Sequence, residues 1–386
     1  MNKTYLFLTI AFGIISCVND DKYDWDNDFA DKTATDTLNI SITYNSTSVS
    51  VSGDDNNFVS VNGSDVTVKS NTNKFLMLTL SGTTSDGSLL IYSWKKLGLL
   101  LNDVSITNTD GPAINNQCGK SFYVITKEGT TNTLTDGINY ANAPITDQGD
   151  TIDQKATLFS EGQIYFGGAG TLNIYSNSRN GVASDDYIIF ESGTVNINVA
   201  STGSNGIKVN DGFTITGGTL NIDVKADGAR GIKNDSFTTI KGGSTTIKTS
   251  GNCKIETIDG INDTTSCAGI KCDSLFTMTA GELNLLSTGD GGKALNCSQN
   301  IEISGGVFVA ETTGSNNIGK PKAVKSDTGI ILSGGSFEAK TDKSWACDNG
   351  YENDTESESE IAKKRVTIIG EPKETNLSKK FMKVKF

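Results

Sequence analysis

The chain has 386 residues, a net charge of −12 and no histidine. This acidic balance argues against general nucleic-acid binding, which needs a basic surface, and the missing histidine excludes motifs that need an imidazole. The 42 glycines against 4 prolines suit a fold with many tight corners.

Residues 1–17 predict a lipoprotein signal peptide. Lys3 precedes an apolar run from Tyr5 to Ile15 that is short for a bilayer span. The sequence Ile-Ile-Ser-Cys at 14–17 resembles a lipobox, which implies lipidation of Cys17. The alternative is an ordinary signal peptide that contains a cysteine.

Residues 18–37 form an acidic linker that is poor in core residues. Asp20 and Asp21 soon after the cysteine resemble the surface-export signal of Bacteroidota lipoproteins. The resemblance implies an outer-membrane lipoprotein exposed at the cell surface.

Three further segments follow in the chain. Residues 38–75 alternate without a clear repeat and predict an N-terminal β cap, since terminal repeats are atypical. Residues 76–346 predict the solenoid, with irregular first rungs, and residues 347–386 predict a C-terminal cap and tail.

A glycine-marked unit of about 25 residues recurs through the solenoid segment. Apolar residues fall five before, two after and four after the marker glycines, with Thr238 and Thr245 as exceptions, and positions two apart indicate strands. Stacked units of this length predict a parallel β-helix, because one rung cannot bury its inner face alone. The marker glycines are Gly170, Gly193, Gly218, Gly243, Gly281, Gly306 and Gly335.

The segments 81–91, 101–114 and 127–137, with the Gly-Ile-Lys rungs from Gly206 onward, resemble the non-catalytic carbohydrate-binding β-helix family. The resemblance implies an all-β fold, a right-handed parallel β-helix shaped like pectate lyases. It also implies binding of cellulose-like or pectic polysaccharide, with calcium in the structure. Residues 204–205, 229–230 and 267–268 depart from the Asp-Gly-Ile pattern of family rungs, which puts family-type calcium sites in doubt there.

Two charged columns share the outward face of the predicted rungs. The first is cationic and the second is largely acidic, so one interpretation is mutual neutralisation in a solvated ladder. The other is that the lysines contact an anionic polysaccharide while the carboxylates bind calcium. The columns are Lys208, Lys233, Lys271 and Lys325, and Asp185, Asn210, Asp235, Asp273 and Asp327.

Further candidate ligands lie outside these columns. Asp227 and Asp290 precede their glycines by 16 residues, and Asp259 and Asp263 lie in a 13-residue insertion; all four are calcium candidates or turn residues. Arg230 lies beside the charged columns. The aromatic candidates for stacking on sugar rings are Tyr92, Trp94, Tyr165, Tyr175 and Trp345, which otherwise serve the core or the end cap.

An enzymatic function is the alternative to binding. Asn108–Asp110 and Asp185–Asp186 resemble carboxylate motifs of polygalacturonases, but those enzymes also use a histidine motif. A polysaccharide lyase of pectate-lyase type needs an arginine base beside calcium ligands, and Arg230 is the candidate. A structural or adhesive surface rod is the third hypothesis.

Six cysteines follow Cys17, and an exported chain can oxidise them. Cys272 and Cys297 occupy equivalent positions of neighbouring rungs, which fits a disulfide or a reduced ladder. Cys253 and Cys267 bracket the insertion and are the second candidate disulfide. The sequence therefore predicts a non-catalytic, calcium-associated polysaccharide-binding protein anchored in the outer membrane through Cys17.

Overall fold

The computed structural model describes residues 36–145, 149–258, 260–265 and 267–386. These residues form strands almost throughout, as the two-residue apolar period predicts. The strands are β1 Thr37–Asn45, β2 Val49–Ser52, β3 Val59–Asn62, β4 Asp65–Ser70, β5 Phe75–Thr84, β6 Ser88–Ser93, β7 Leu97–Thr107, β8 Ile114–Asn116, β9 Phe122–Thr126, β10 Thr131–Thr135, β11 Ala156–Ser160, β12 Ile164–Gly168, β13 Thr171–Ser176, β14 Asn180–Ser184, β15 Tyr187–Phe190, β16 Thr194–Val199, β17 Ile207–Val209, β18 Gly212–Ile215, β19 Thr219–Val224, β20 Arg230–Asn234, β21 Phe237–Thr249, β22 Lys254–Ile258, β23 Ile261–Thr265, β24 Ala268–Cys272, β25 Phe276–Ser287, β26 Lys293–Cys297, β27 Ile301–Ile303, β28 Val307–Thr312, β29 Lys322–Ser326, β30 Ile330–Leu332, β31 Ser336–Thr341, β32 Cys347–Asp348, β33 Thr367–Ile368, β34 Glu374–Leu377 and β35 Phe381–Lys385.

Successive rungs pair in parallel and form three faces. Face 1 is a 12-stranded sheet that includes β14, β17, β20, β24, β26 and β29. Faces 2 and 3 belong to one 21-stranded sheet, in which β15 pairs with β18 on face 2 and β16 pairs with β19 on face 3. The parallel β-helix predicted from the repeat is therefore confirmed.

Residues that share an apolar column in the repeat are register partners on neighbouring strands of the sheets. Phe213 pairs with Ile188 on one side and with Thr238 on the other, and Leu220 pairs with Val195 and Thr245. Both Phe213 and Leu220 are buried. The core therefore runs continuously inside the rungs, because each inward side chain packs on its equivalent above and below.

Glycine at the corner between faces 2 and 3 is required by backbone geometry. Gly306 has φ +81°, and a Cβ atom there would lie 2.6 Å from the carbonyl oxygen of Gly281. Positive φ recurs at the other marker glycines from Gly193 to Gly335, whereas at the first corner it falls on Gly168 instead of Gly170.

The solenoid unit covers Leu38–Phe386. At its start, β1 with β2 and β3 with β4 form antiparallel hairpins, but β4 already pairs in parallel with β6. At its end, β32 pairs in parallel with β29 and β33 pairs in parallel with β30. The last strand, β35, pairs antiparallel with β31. Parallel pairing thus extends into both segments that the sequence suggests as caps.

A short helix, α1 (Glu358–Lys364), lies in the closing segment and begins with a capping box at Ser357 and Glu360. The large insertion forms the antiparallel hairpin of β22 and β23. No helix among the described residues has the length and apolar character needed to span a bilayer.

Candidate functional site

The predicted lysine column is a real feature of face 1. Lys208, Lys233 and Lys271 are register partners on β17, β20 and β24, and Lys325 follows on β29 after Asn296 on β26. The side chains are partly exposed at roughly the spacing of parallel strands, about 4.8 Å.

Aspartates neutralise these lysines. Asp235 pairs with Lys208 and, at 3.6 Å, with Lys233, while Lys271 contacts Asp273 at 2.6 Å and Lys325 pairs with Asp327. Burial opposes ionisation of Asp235, but the two lysines outweigh it and lower the pKa of that carboxyl. The structure therefore shows the mutually neutralised ladder, and contact of the lysines with a glycan stays a prediction.

Arg230 begins a second cationic row at the first residue of the face 1 strands. Its register partners are Ala268, Lys293 and then Lys322. Burial lowers the pKa of Arg230 and of Lys293, and the Arg230 Nε is buried with no hydrogen-bond partner among the described residues. Asp273, predicted as a calcium ligand, lies close enough to Arg230 to oppose this shift.

Asp227 and Asp290 stabilise stacked loops. Asp227 accepts a hydrogen bond from the backbone N–H of Asn252 at 2.8 Å. Asp290 accepts one from the backbone N–H of Ser315 at 3.1 Å. This is the turn role that was the alternative to calcium binding. Asp259 and Cys17 lie outside the described residues, as does the side chain of Asp263 on β23.

Asp185 belongs to an acidic cluster that the sequence did not reveal. Among the described residues, one group of three acidic side chains brings carboxylate oxygens within 4.8 Å of one another: Asp153, Glu161 and Asp185, hereafter the acid trio. All three are half-buried. Oxygen-rich clusters of this kind match the ligand preference of calcium, which takes six to eight oxygens.

Lys155 balances the acid trio. Its Nζ lies 2.5 Å from an oxygen of Asp153 and 2.5 Å from one of Asp185. Burial disfavours the charged lysine, but these two carboxylates raise its pKa overall. Burial, followed by the charges of Asp185 and Asp153, raises the pKa of Glu161 to about 7. Glu161 therefore keeps its proton to a higher pH than an isolated carboxyl does.

A cleft of about 560 Å³ lies beside the trio. Asp153, Lys155, Arg179 and Asn180 line it, with Tyr140 at one wall. It is polar and open to solvent at face 1. The two cations suit ligands that carry carboxylates, whereas the Asn180 amide donates to the carbonyl oxygen of Lys155 and accepts from Asn205.

Hydrogen bonds around Asp136 hold the wall of this cleft. The Asp136 carboxylate is buried. It accepts hydrogen bonds from the Tyr140 hydroxyl at 2.8 Å and from the backbone N–H of Asn177 at 2.5 Å. Burial raises the pKa of this carboxyl, against those hydrogen bonds. The Arg179 guanidinium lies 5.4 Å from the Tyr140 ring centre, which orients it along the cleft.

The aromatic candidates separate into exposed and buried groups. Trp94 is 76% exposed and Tyr175 is 44% exposed, whereas Tyr165 is buried between Tyr123 and Tyr187. The Tyr92 ring lies 5.6 Å from the Nζ of Lys69. Trp345 contacts cations of the closing segment, with Arg365 at 4.3 Å, so it serves the end cap.

The second acid motif lies at a smaller cavity that adjoins the cleft and shares Ala141, Asn142 and Gln154 with it. Asn108 is buried and donates a hydrogen bond to the carbonyl oxygen of Pro112, while Asp110 lines a cavity of about 200 Å³. These contacts are turn-forming. The structure does not bring Asp110 together with Asp185 in any group of acidic side chains among the described residues.

Both cysteine pairs predicted from spacing lie together. The Sγ atoms of Cys272 and Cys297 are 3.0 Å apart, and those of Cys253 and Cys267 are 3.3 Å apart. All four are buried free thiols in this structure. The spacing thus identified neighbours, and the oxidation state stays a prediction.

The sequence missed Asp153, Lys155 and Glu161 for a definable reason. Asp153 ends the irregular loop after β10, and the trio combines it with residues after β11 and β14. A periodic pattern finds only residues that repeat, whereas this cluster forms where a non-repeating loop returns to the solenoid. The available signal was the Asp-x-Lys spacing directly before a buried strand.

Comparisons with known proteins identify the family of the chain. The sequence pattern of the family described as carbohydrate-binding domain-containing protein matches residues 62–239 and 228–317, more than half of the chain. A search of curated proteins found no match. Among solved structures, a polysaccharide lyase-like protein from C. thermocellum, determined as a gadolinium derivative, is 24% identical, with a TM-score of 0.49, covering 69% of this chain and 97% of that one. The chain belongs to the carbohydrate-binding domain-containing protein family.

Proposed function

We propose that this protein binds polysaccharide without cleaving it, at the bacterial cell surface and with calcium. The family supports a carbohydrate ligand. The observation that carries the proposal is the cleft in which Lys155 and Arg179 lie beside the acid trio. Cations and a calcium site side by side suit a polyuronate chain, whose carboxylates contact both.

The acid trio would hold the calcium ion. Asp153, Glu161 and Asp185 supply carboxylate oxygens, and calcium binding requires Glu161 to lose its proton and Lys155 to leave its two partners. The freed Lys155 then faces the cleft and contacts the ligand. In this way calcium and glycan binding would reinforce each other.

The test is a pull-down on insoluble cellulose and pectate, with calcium or chelator. We expect retention on pectate that falls at least tenfold in chelator and in Asp185→Asn. Asp327→Asn is the matched control, because it removes an exposed aspartate of face 1 whose carboxylate pairs with Lys325. Absence of retention on every glycan tested would contradict the proposal.

Surface anchoring is a separate part of the proposal. Lipidation of Cys17 would place the protein in the outer membrane, with residues 18–37 as a tether. We expect Cys17→Ala to move the protein from the membrane fraction to the soluble fraction. Protease added to intact cells should degrade the wild-type protein if it faces outward, and full protection would contradict surface exposure.

A polysaccharide lyase is the second candidate, because Arg179 and Lys155 line the same cleft as Asp153. A lyase base beside calcium ligands needs this combination of groups. Arg230, the arginine that the sequence suggested, lies in a different row on face 1. Incubation with polygalacturonate and calcium separates the two functions, since a lyase produces unsaturated uronides with new ultraviolet absorbance and a binding protein does not.

A further inference from the structure

Face 3 carries a second polar surface that does not contribute to the cleft. The strands β13, β16 and β19 present outward a column of threonines, Thr171, Thr194 and Thr219, and a column of asparagines, Asn173, Asn196 and Asn221. We name these six residues the Thr-Asn ladder. They alternate with buried Leu172, Val195 and Leu220, so the inward face fixes the direction of the outward one.

The asparagine amides form a continuous chain of hydrogen bonds. Asn196 Nδ2 donates to Asn173 Oδ1 at 2.9 Å, and Asn221 Nδ2 donates to Asn196 Oδ1 at 2.9 Å. An amide has two N–H groups and two acceptor lone pairs, so each member keeps hydrogen-bonding capacity for a ligand. Because the neighbours lock the amides, a ligand would meet groups that are already ordered.

The threonine hydroxyls are available as well. The side chains of Thr171, Thr194 and Thr219 are half-buried, so part of each reaches the surface. Strand spacing repeats the Thr-Asn pair about every 4.8 Å. The result is a regular, rigid array of hydroxyl and amide groups.

The charge of this surface selects the ligand. Between Thr171 and Val224, the outward residues of β13, β16 and β19 include no lysine or arginine and one acid, Asp223. In a chain with 20% charged residues, this strip differs from an ordinary solvated face. These three strands offer a polyuronate no cation of their own; Lys248, the register partner of Asp223, lies on the next strand, β21.

An aromatic ring borders the ladder. Tyr175 lies two residues after Asn173 on β13, is 44% exposed, and so faces outward beside the amides. Exposed tyrosine with neighbouring hydroxyls and amides can stack on a pyranose ring and hydrogen-bond its hydroxyls. Beyond β19 the same two columns continue with Ser244 and Thr246 on β21 and then with Glu282 and Asn284 on β25.

We propose that the Thr-Asn ladder with Tyr175 binds a neutral, extended polysaccharide lying across successive rungs of face 3, independently of calcium. This inference rests on the proposed function and adds a second surface with a different ligand class. Face 1 would take the anionic chain and face 3 the neutral one.

The experiment measures depletion isotherms on insoluble cellulose and on pectate, using the full chain. Thr194→Val with Thr219→Val removes two hydroxyls at nearly constant volume, and Asn196→Ala with Asn221→Ala interrupts the amide chain. We expect each pair to weaken cellulose binding at least tenfold, and Tyr175→Ala at least fivefold. Pectate binding should change less than twofold, and chelator should not affect cellulose binding.

Ser336→Ala with Glu338→Ala is the matched control, because these residues occupy the equivalent outward positions of β31 outside the ladder. Circular dichroism melts verify that every variant is folded. If an asparagine variant does not fold, Tyr175→Ala still tests the contribution of the surface to cellulose binding. Wild-type binding to cellulose that none of the ladder variants weakens overturns the inference and leaves the proposed function intact. Binding to pectate alone also overturns it, whereas binding to neither glycan overturns both.

Discussion

At the scale of single residues, the acid trio concentrates opposing electrostatic effects. Glu161 has a raised pKa because it is partly buried beside two aspartates, while Lys155 offsets those same aspartates. Such perturbed groups in a cleft are typical of binding sites, although ion-pair networks produce them too. The charge states of the trio can be tested without any ligand.

Glu161→Gln should change how stability depends on pH in the presence of chelator. The folded-state pKa of about 7 lies above the ordinary value of 4.5, so the folded protein binds this proton more tightly than the unfolded chain. The proton on Glu161 therefore stabilises the folded protein fully below pH 4.5, and this stabilisation is lost as the pH rises through 7. Between pH 4.5 and pH 8, the melting temperature should fall less steeply for Glu161→Gln than for wild type. Glu128→Gln, at an exposed position, is the control, and identical slopes for both variants would contradict this account.

Gly306→Ala should destabilise the fold by about 1–3 kcal/mol, because a side chain at this positive φ also meets the Gly281 carbonyl oxygen. Gly119→Ala is the comparison, since a Cβ atom there meets no heavy atom within 4 Å. Its effect should stay within about 0.5 kcal/mol. Urea denaturation measures both, and equal free energies of unfolding would argue against the corner requirement.

At the scale of elements, the hairpin of β22 and β23 is held at its base by Cys253 and Cys267. Their Sγ atoms are close enough for a disulfide after small rotations of the side chains. Cys272 and Cys297 instead join two rungs within the core. Export, as proposed from the lipobox resemblance, would place both pairs in an oxidising environment that favours disulfides.

A disulfide-containing oxidant, such as oxidised glutathione, should convert both pairs by thiol–disulfide exchange. Closing the short loop between Cys253 and Cys267 should stabilise the protein by about 3 kcal/mol, and Cys253→Ser should abolish that increment. Peptide mass spectrometry without reductant identifies the bonds. Full alkylation of all four thiols after oxidant treatment would contradict the prediction.

At the scale of the whole molecule, distinct polar surfaces lie on different faces of the solenoid, and the later strands of face 3 also carry charges such as the Lys340–Glu311 pair. Face 1 carries the charged ladder, the cationic row and the cleft, whereas face 3 carries the uncharged ladder. Each face repeats with the rungs, so a linear polymer can contact several equivalent groups at once. This geometry suits a polysaccharide better than a small ligand.

Calcium should raise the melting temperature of the protein if the acid trio binds it. At a free concentration 100 times the dissociation constant, the added stability is about 2.7 kcal/mol. Differential scanning calorimetry should show this shift in wild type and in Asp327→Asn, but not in Asp185→Asn. Equal melting temperatures with calcium and with chelator would exclude a calcium site of useful affinity.

The amino-acid sequence determined the solenoid and its interior. Inward residues such as Phe213, Leu220 and Phe308 recur at fixed distances from a glycine, because every rung buries the same positions against its neighbours. The same periodicity located the lysine column and the Cys272–Cys297 pair, whereas Cys253 and Cys267 were paired because they bracket the insertion that interrupts it. Repetition along the chain thus becomes proximity in space without further information.

Only the tertiary structure decided which charges meet. Asp153, Lys155, Glu161 and Asp185 come from different rungs and an irregular loop, and their contacts depend on how that loop returns to face 1. Likewise, the pairing of Asp235 with Lys208 follows from side-chain directions across two rungs. Electrostatic sites depend on distances of a few ångströms, and a repeat length does not specify these where the repeat is interrupted.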